Sequence, residues 1–160
     1  MAMQMAMLGV QPKELAFYAP IYQIRLVRDG NQRIPDRRVT RPVDAAAILQ
    51  AYLEGADREH FVVILLNTKH QVIGINTVSI GSLDATQITG REVFKPAILA
   101  NAAAVVLGHN HPSGDPTPSP SDVAVTRTMV NAGKLLNIDV VDHIIIGDRQ
   151  HLSLKERGFM

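Results

Sequence analysis

Ala104-Val105-Val106-Leu107-Gly108-His109-Asn110-His111-Pro112-Ser113-Gly114-Asp115-Pro116-Thr117-Pro118-Ser119-Pro120-Ser121-Asp122 runs from an apolar stretch, through a proline-rich loop, to a helix start. The run Ala104 to His109 reads as a strand covered on both faces, because it is apolar without alternation. Pro112 to Pro120 is the loop, and Asp122 to Leu136 reads as a helix with Val123, Thr126, Met129, Val130 and Leu135 as candidate core positions. The same grammar extends outward in both directions. Upstream, His60 to Leu66 is a second buried strand, Asn67 to His70 a turn, and Gln71 to Ile80 the antiparallel return. Thr40 and Pro42 open a helix, with Asp44 near the positive end of its dipole and Gly55 as its stop. Glu92 to Ala104 reads as a helix that Pro96 must kink or delay. Downstream, Val140 to Ile146 and His151 to Leu154 are strands, and near the N-terminus Ile21 to Val27 reads as another, with Arg28-Asp29-Gly30-Asn31 as its turn. Strands interleaved with helices and one hairpin predict an α/β (α+β) sandwich with a mixed sheet.

The 160 residues suit one domain. The absence of Cys excludes disulfide scaffolds, thiolate nucleophiles and Cys-held metals, so any metal must be held by His, Asp, Glu or Asn. Lys and Arg total 16 against 15 Asp and Glu, so the net charge of +1 gives no whole-molecule case for nucleic acid. The stretch Arg25 to Arg41 is locally basic, with six Arg against two Asp, but it lacks interleaved aromatics and reads as a solvated face. No apolar run is long enough for a membrane span. Met1, Met3, Met5 and Met7 start an uncharged tail without the basic start of a signal peptide, so the cytoplasm is the expected compartment.

The chemistry concentrates between Gly108 and Asp122. In extended backbone, His109 and His111 face the same way, so two imidazoles converge on one point. A third ligand from Asp122 would leave a four-coordinate zinc with one position open for water. Ser119-Pro120-Ser121-Asp122 also has the form of a helix capping box, which would turn Asp122 toward a backbone N–H instead. By spacing alone both readings stand.

His109-x-His111, seven residues, then Ser119-x-x-Asp122 resembles the JAMM motif of JAB/MPN metalloproteases, and His109-Asn110-His111-Pro112-Ser113-Gly114 resembles its RadC-type bacterial branch. Arg91-Glu92-Val93-Phe94, Asn101-Ala102-Ala103-Ala104 within the central helix, and Asp142-His143-Ile144-Ile145-Ile146-Gly147 extend the likeness. It covers residues 40–160 and leaves 1–39 as tail, strand and Arg-rich connector. The resemblance implies a JAB/MPN, cytidine-deaminase-like sandwich and a zinc-dependent hydrolase acting on a peptide or isopeptide bond of a protein substrate. It implies Zn2+ on His109, His111 and Asp122, Glu59 as general acid/base, and Ser119 as oxyanion donor. Glu54 rivals Glu59 but belongs to a helix end. RadC proteins commonly carry a DNA-associated helical hairpin ahead of this domain, and residues 1–39 do not read as paired helices. The alternative is a non-catalytic module binding DNA or a protein partner with an idle or structural metal. Asp142 and His143 read first as a buried hydrogen-bonded pair, with orientation of a ligand His as the functional alternative. Asp115 reads as a turn residue, and His60, His70 and His151 as surface or packing residues.

Overall fold

In the computed structural model, residues 19–81 and 88–160 are described. Helix α1 (Pro42–Tyr52) leads into β1 (His60–Leu66) and β2 (Val72–Ile80), then α2 (Gly90–Leu99) and β3 (Ala104–Asn110). Helix α3 (Pro120–Leu136), β4 (Asp139–Ile146) and β5 (His151–Ser153) follow. The strands form one five-stranded sheet in the order β2-β1-β3-β4-β5. Only β3 and β4 run parallel, and α3 is the crossover between them; the other pairs are antiparallel. The sheet is mixed and carries helices on both faces, an α/β fold of the JAB/MPN kind.

Why β1 reads as an unbroken apolar run is now visible. Val62, Ile64 and Leu66 pack toward Ile48 and Leu49 of α1, while Phe61, Val63 and Leu65 pack toward Val93 and Phe94 of α2 and Met129 of α3. Side chains alternate across a strand, so a strand sandwiched between helices must be apolar at every position. β3 does the same, with Val106 on the α1 side and Val105 and Leu107 on the other. The result is three layers: α1, the sheet, then α2 with α3.

Several expectations need correction. The strand at 21–27 does not form: Ile21 is 96% exposed, and the backbone there pairs with nothing regular. The stretch has strand-like composition but, among the described residues, no neighbour to complete its hydrogen bonds, and a lone strand is not stable. Sheet pairing begins later, where Val39 N donates to His70 O and Val72 N donates to Arg37 O at the edge of β2. Helix α1 is capped by Arg41, not Thr40; Thr40 instead donates its hydroxyl and backbone N–H to the Asp44 carboxylate, which holds that acid below its usual range. Helix α2 starts at Gly90, two residues before the expected Glu92, and ends at Leu99. Asn101 adopts φ 52°, and Ala102 N reaches back to Ala97 O, so Asn101 to Ala104 lie beyond the helix. Pro96 sits within α2 at the cost of one helical hydrogen bond. In α3 the buried positions are Asp122, Val125, Thr126, Met129 and Gly133, whereas Leu135 is 86% exposed. The Met-rich start lies outside the described residues.

Candidate metal centre

The register of β1 on β3 places Phe61 opposite His109. His109 is fully buried, stacked on the Phe61 ring at 6.1 Å and 11°. Beyond the end of β3, His111 N still donates to Ile146 O at 2.8 Å, so the backbone stays extended through both histidines. Their side chains therefore share a face, and the two Nε2 atoms stand 3.0 Å apart.

The loop that follows folds back on the second imidazole. Gly114 takes φ +83°, a left-handed turn that favours glycine, and its carbonyl accepts from Asp148 N at 2.8 Å. The turn brings the Asp115 carbonyl to 2.7 Å from His111 Nδ1. A carbonyl only accepts, so Nδ1 carries a proton and Nε2 is the nitrogen turned toward His109. The Asp115 carboxylate itself is occupied by the hydroxyl and N–H of Thr117, which hold its pKa low. It is a turn residue, as its spacing predicts, but its backbone orients His111.

Ser119 and Asp122 form the capping box and still face the histidines. Asp122 Oδ2 accepts from Ser119 N and from Ser119 Oγ, both at 2.7 Å, and Asp122 N donates to Ser119 Oγ at 3.2 Å. Asp122 Oδ1 lies 3.3 Å from His109 Nε2, and Oδ2 3.7 Å from His111 Nε2. Capping and facing the histidines are thus not alternatives: Oδ2 takes the capping bonds while Oδ1 makes the shorter approach, to His109.

Glu59 precedes β1, and its Oε1 lies 3.8 Å from His109 Nε2 and 3.9 Å from His111 Nε2. Among the described residues, Glu59, His109 and His111 form the one group of three whose ligand atoms all fall within 4.8 Å of one another. A side chain that sequence reasoning passed over holds Glu59 in place. Asn110 accepts from His60 N at 2.8 Å and donates to Arg58 O at 2.9 Å, gripping the backbone on either side of Glu59. Its position between two ligand-type histidines was the available signal.

Behind the site, His109 Nδ1 lies 2.8 Å from His143 Nε2, His143 Nδ1 lies 2.6 Å from Thr126 Oγ1, and Thr126 donates to the Asp122 carbonyl at 2.6 Å. Burial, reinforced by His111 and opposed by Asp122, lowers the His109 pKa to about 4. Burial pushes His143 well below its ordinary value, with His109 and His111 adding to the effect. Asp142 does not join this chain; its carboxylate accepts from Ser153 Oγ and from the N–H groups of His143 and Lys155. An open cavity of about 340 Å³, lined by Glu59, His111, Pro112, Ser113, Ser119 and Asp122, gives access from solvent. Glu54 lines a different cavity with Tyr52 and Thr77. His60 bonds the Arg58 carbonyl, and His70 sits in the β1–β2 turn with φ 55°.

The donor set fits a metal cation. Two imidazole Nε2 atoms and two carboxylates converge, and ring nitrogens 3.0 Å apart are held either by a proton on one of them or by a cation between them. Nitrogen and oxygen ligands in this number suit zinc or a related divalent ion.

A protein-family model described as RadC-like JAB domain matches residues 39–159. A UPF0758 protein of Desulfitobacterium hafniense (strain DSM 10664 / DCB-2) is 48% identical over 122 residues, 76% of this chain and 54% of that protein. A UPF0758 protein of Moorella thermoacetica is 52% identical over 122 residues, covering 76% of this chain and 53% of its own length. One from Methanosarcina acetivorans is 41% identical over 152 residues, covering 95% of this chain and 66% of its own length. The match thus takes in about half to two thirds of each of these relatives. No helix among the described residues is long and apolar enough to cross a membrane.

Proposed function

The chain belongs to the RadC-like JAB domain family, and from that premise we propose that it is a zinc-dependent hydrolase of the JAMM type, cleaving a peptide or isopeptide bond. The observation that supports this best is the convergence of the His109 and His111 Nε2 atoms with the Asp122 and Glu59 carboxylates at the mouth of a solvent-reached cavity. In this reading His109, His111 and Asp122 hold the metal and Glu59 is the acid/base. Asp122 suits the ligand role because it is 4% exposed and approaches His109 to 3.3 Å. Glu59 is farther, at 3.8 Å, and its side chain is 18% exposed on the cavity wall, where it can reach substrate.

Zinc bound there would supply a Lewis acid that lowers the pKa of water toward 7. Glu59 then takes a proton from the attacking water on its carboxylate and passes it to the nitrogen of the leaving amine. Ser119 donates a hydrogen bond to the developing oxyanion, which requires its O–H to rotate away from Asp122 Oδ2. Asn110 keeps Glu59 at its station through both proton transfers, since the backbone it grips flanks that residue.

The test has two parts. Chain purified without chelator should carry close to one equivalent of zinc, and the His109→Ala/His111→Ala variant should carry almost none. Glu59→Gln should keep its zinc and lose cleavage of a peptide library, whereas Asp122→Ala should lose zinc. Negligible metal in both wild type and double variant overturns the metal reading; unchanged cleavage by Glu59→Gln removes Glu59 from the mechanism.

A further inference from the structure

The buried bonds behind His109 have a direction. The Asp122 backbone carbonyl can only accept, so Thr126, 2.6 Å from it and one turn further along α3, spends its single hydroxyl proton there. Toward His143 the Thr126 oxygen can therefore only accept, and His143 Nδ1 at 2.6 Å must carry a proton. His143 is fully buried, so its ring is neutral and Nε2 is a bare acceptor. That acceptor faces His109 Nδ1 at 2.8 Å, which must in turn be protonated. By elimination, the lone pair of His109 sits on Nε2, on the side of His111 and Asp122.

We infer that His143 and Thr126 are positioning residues that lock His109 in its Nδ1–H tautomer and so keep Nε2 open to a metal. The tautomer assignment stands on the hydrogen bonds and the burial of His143; its consequence for metal affinity rests on the metal reading above. The path begins at one proposed ligand, His109, and ends on the backbone of another, Asp122. It thereby ties the end of β3, the middle of β4 and the first turns of α3 to one another. Metal-ligating histidines commonly donate their second ring N–H to an acceptor that fixes ring and tautomer. Here that acceptor is another histidine, and its own proton is directed by a threonine.

Thr126→Val tests the inference without changing side-chain shape. It leaves the His143 Nδ1–H facing a methyl group, and a buried orphan N–H is costly. Both rings relieve this by shifting protons together: His143 to Nε2–H, and His109 to Nε2–H donating to Asp122 Oδ1. The metal would then meet a proton where it needs a lone pair. Long-range proton–nitrogen spectra of the metal-free chain should show His109 and His143 as Nδ1–H in wild type and Thr126→Ser. Both should be Nε2–H in Thr126→Val. Zinc affinity, measured by chelator competition, should fall about 10- to 100-fold in Thr126→Val and recover in Thr126→Ser. A wild-type His109 protonated on Nε2, or a Thr126→Val variant with unshifted tautomers and affinity within about twofold, overturns the inference. If wild type holds no zinc yet shows the stated tautomers, the metal reading falls and the lock remains.

Discussion

Lowering the pH on metal-free protein should cost it stability well above the carboxylate range. His109 is pushed from 6.5 down to about 4, chiefly by burial, while the same ring in the unfolded chain titrates near its ordinary value. Between those two values the unfolded state binds the extra proton, so stability rises with pH and is lost as pH falls. The contribution is whole above about pH 6.5 and is lost progressively down to the folded value. At 1.36 kcal/mol per unit, His109 alone accounts for roughly 3 kcal/mol, a large share of the 5–15 kcal/mol typical of a domain. His143 shifts in the same direction for the same first cause and adds to the slope. The lowered acids Asp44, Asp57 and Asp115 act elsewhere, since their stabilisation is complete above 3.8 and is lost only below it. Urea unfolding followed by circular dichroism, with chelator present, should therefore show a midpoint that drops between about pH 6.5 and 4.5. His109→Asn removes one titrating ring, and its curve should be shallower by about 1.4 kcal/mol per pH unit in that window. Parallel curves for wild type and His109→Asn would refute the reasoning.

Other outcomes follow from single contacts. Asn110→Ala removes both bonds that grip the backbone beside Glu59, so cleavage should fall about 100-fold while zinc affinity stays near wild type; equal losses of both would contradict the assignment. Ser119→Ala removes the side-chain cap of α3 and should destabilise the fold by about 1 kcal/mol in chemical unfolding; no change would mean the cap adds nothing. Gly108→Ala drives a methyl group into Leu49 Cδ1, with Leu49 Cδ2 2.7 Å away, in a buried layer, so a loss of about 1–3 kcal/mol is expected in thermal unfolding, partly recovered by adding Leu49→Val. Duplex DNA should bind weakly and with a shallow salt dependence, since the basic stretch Arg25 to Arg41 is offset by a near-neutral whole; a steep log–log slope in a salt series would count against this.

What could be read from the chain depended on how local its cause was. β1 and β3 announced themselves because burial on two faces leaves no polar position, and no partner need be known. The stretch 21–27 has strand-like composition, with Gln23 and Arg25 among its apolar residues, but no adjacent strand among the described residues, and adjacency is a property of the whole sheet. The end of α2 escaped because Asn101, not glycine, takes the left-handed turn. At the site, the same-face pairing of His109 and His111 needs only an extended backbone, so two residues of separation revealed it. Asn110 acts through the β1–β3 register, and Thr126 and His143 through the docking of α3 on β4. Those are tertiary facts, and residue spacing does not carry them.

The division of labour within the Asp122 carboxylate changes how much each letter of the motif is worth as a diagnostic. One oxygen closes the first turn of α3 whether or not a cation is ever bound. A relative that bound no metal would still gain from keeping Ser119 and Asp122 for the helix they begin. His111 begins no helix: its imidazole bonds the Asp115 carbonyl, faces His109, Glu59 and Asp122, and lines the cavity. In a survey of relatives, loss of His111 would therefore be the earliest mark of a retired centre, and survival of Ser119-x-x-Asp122 the least informative one.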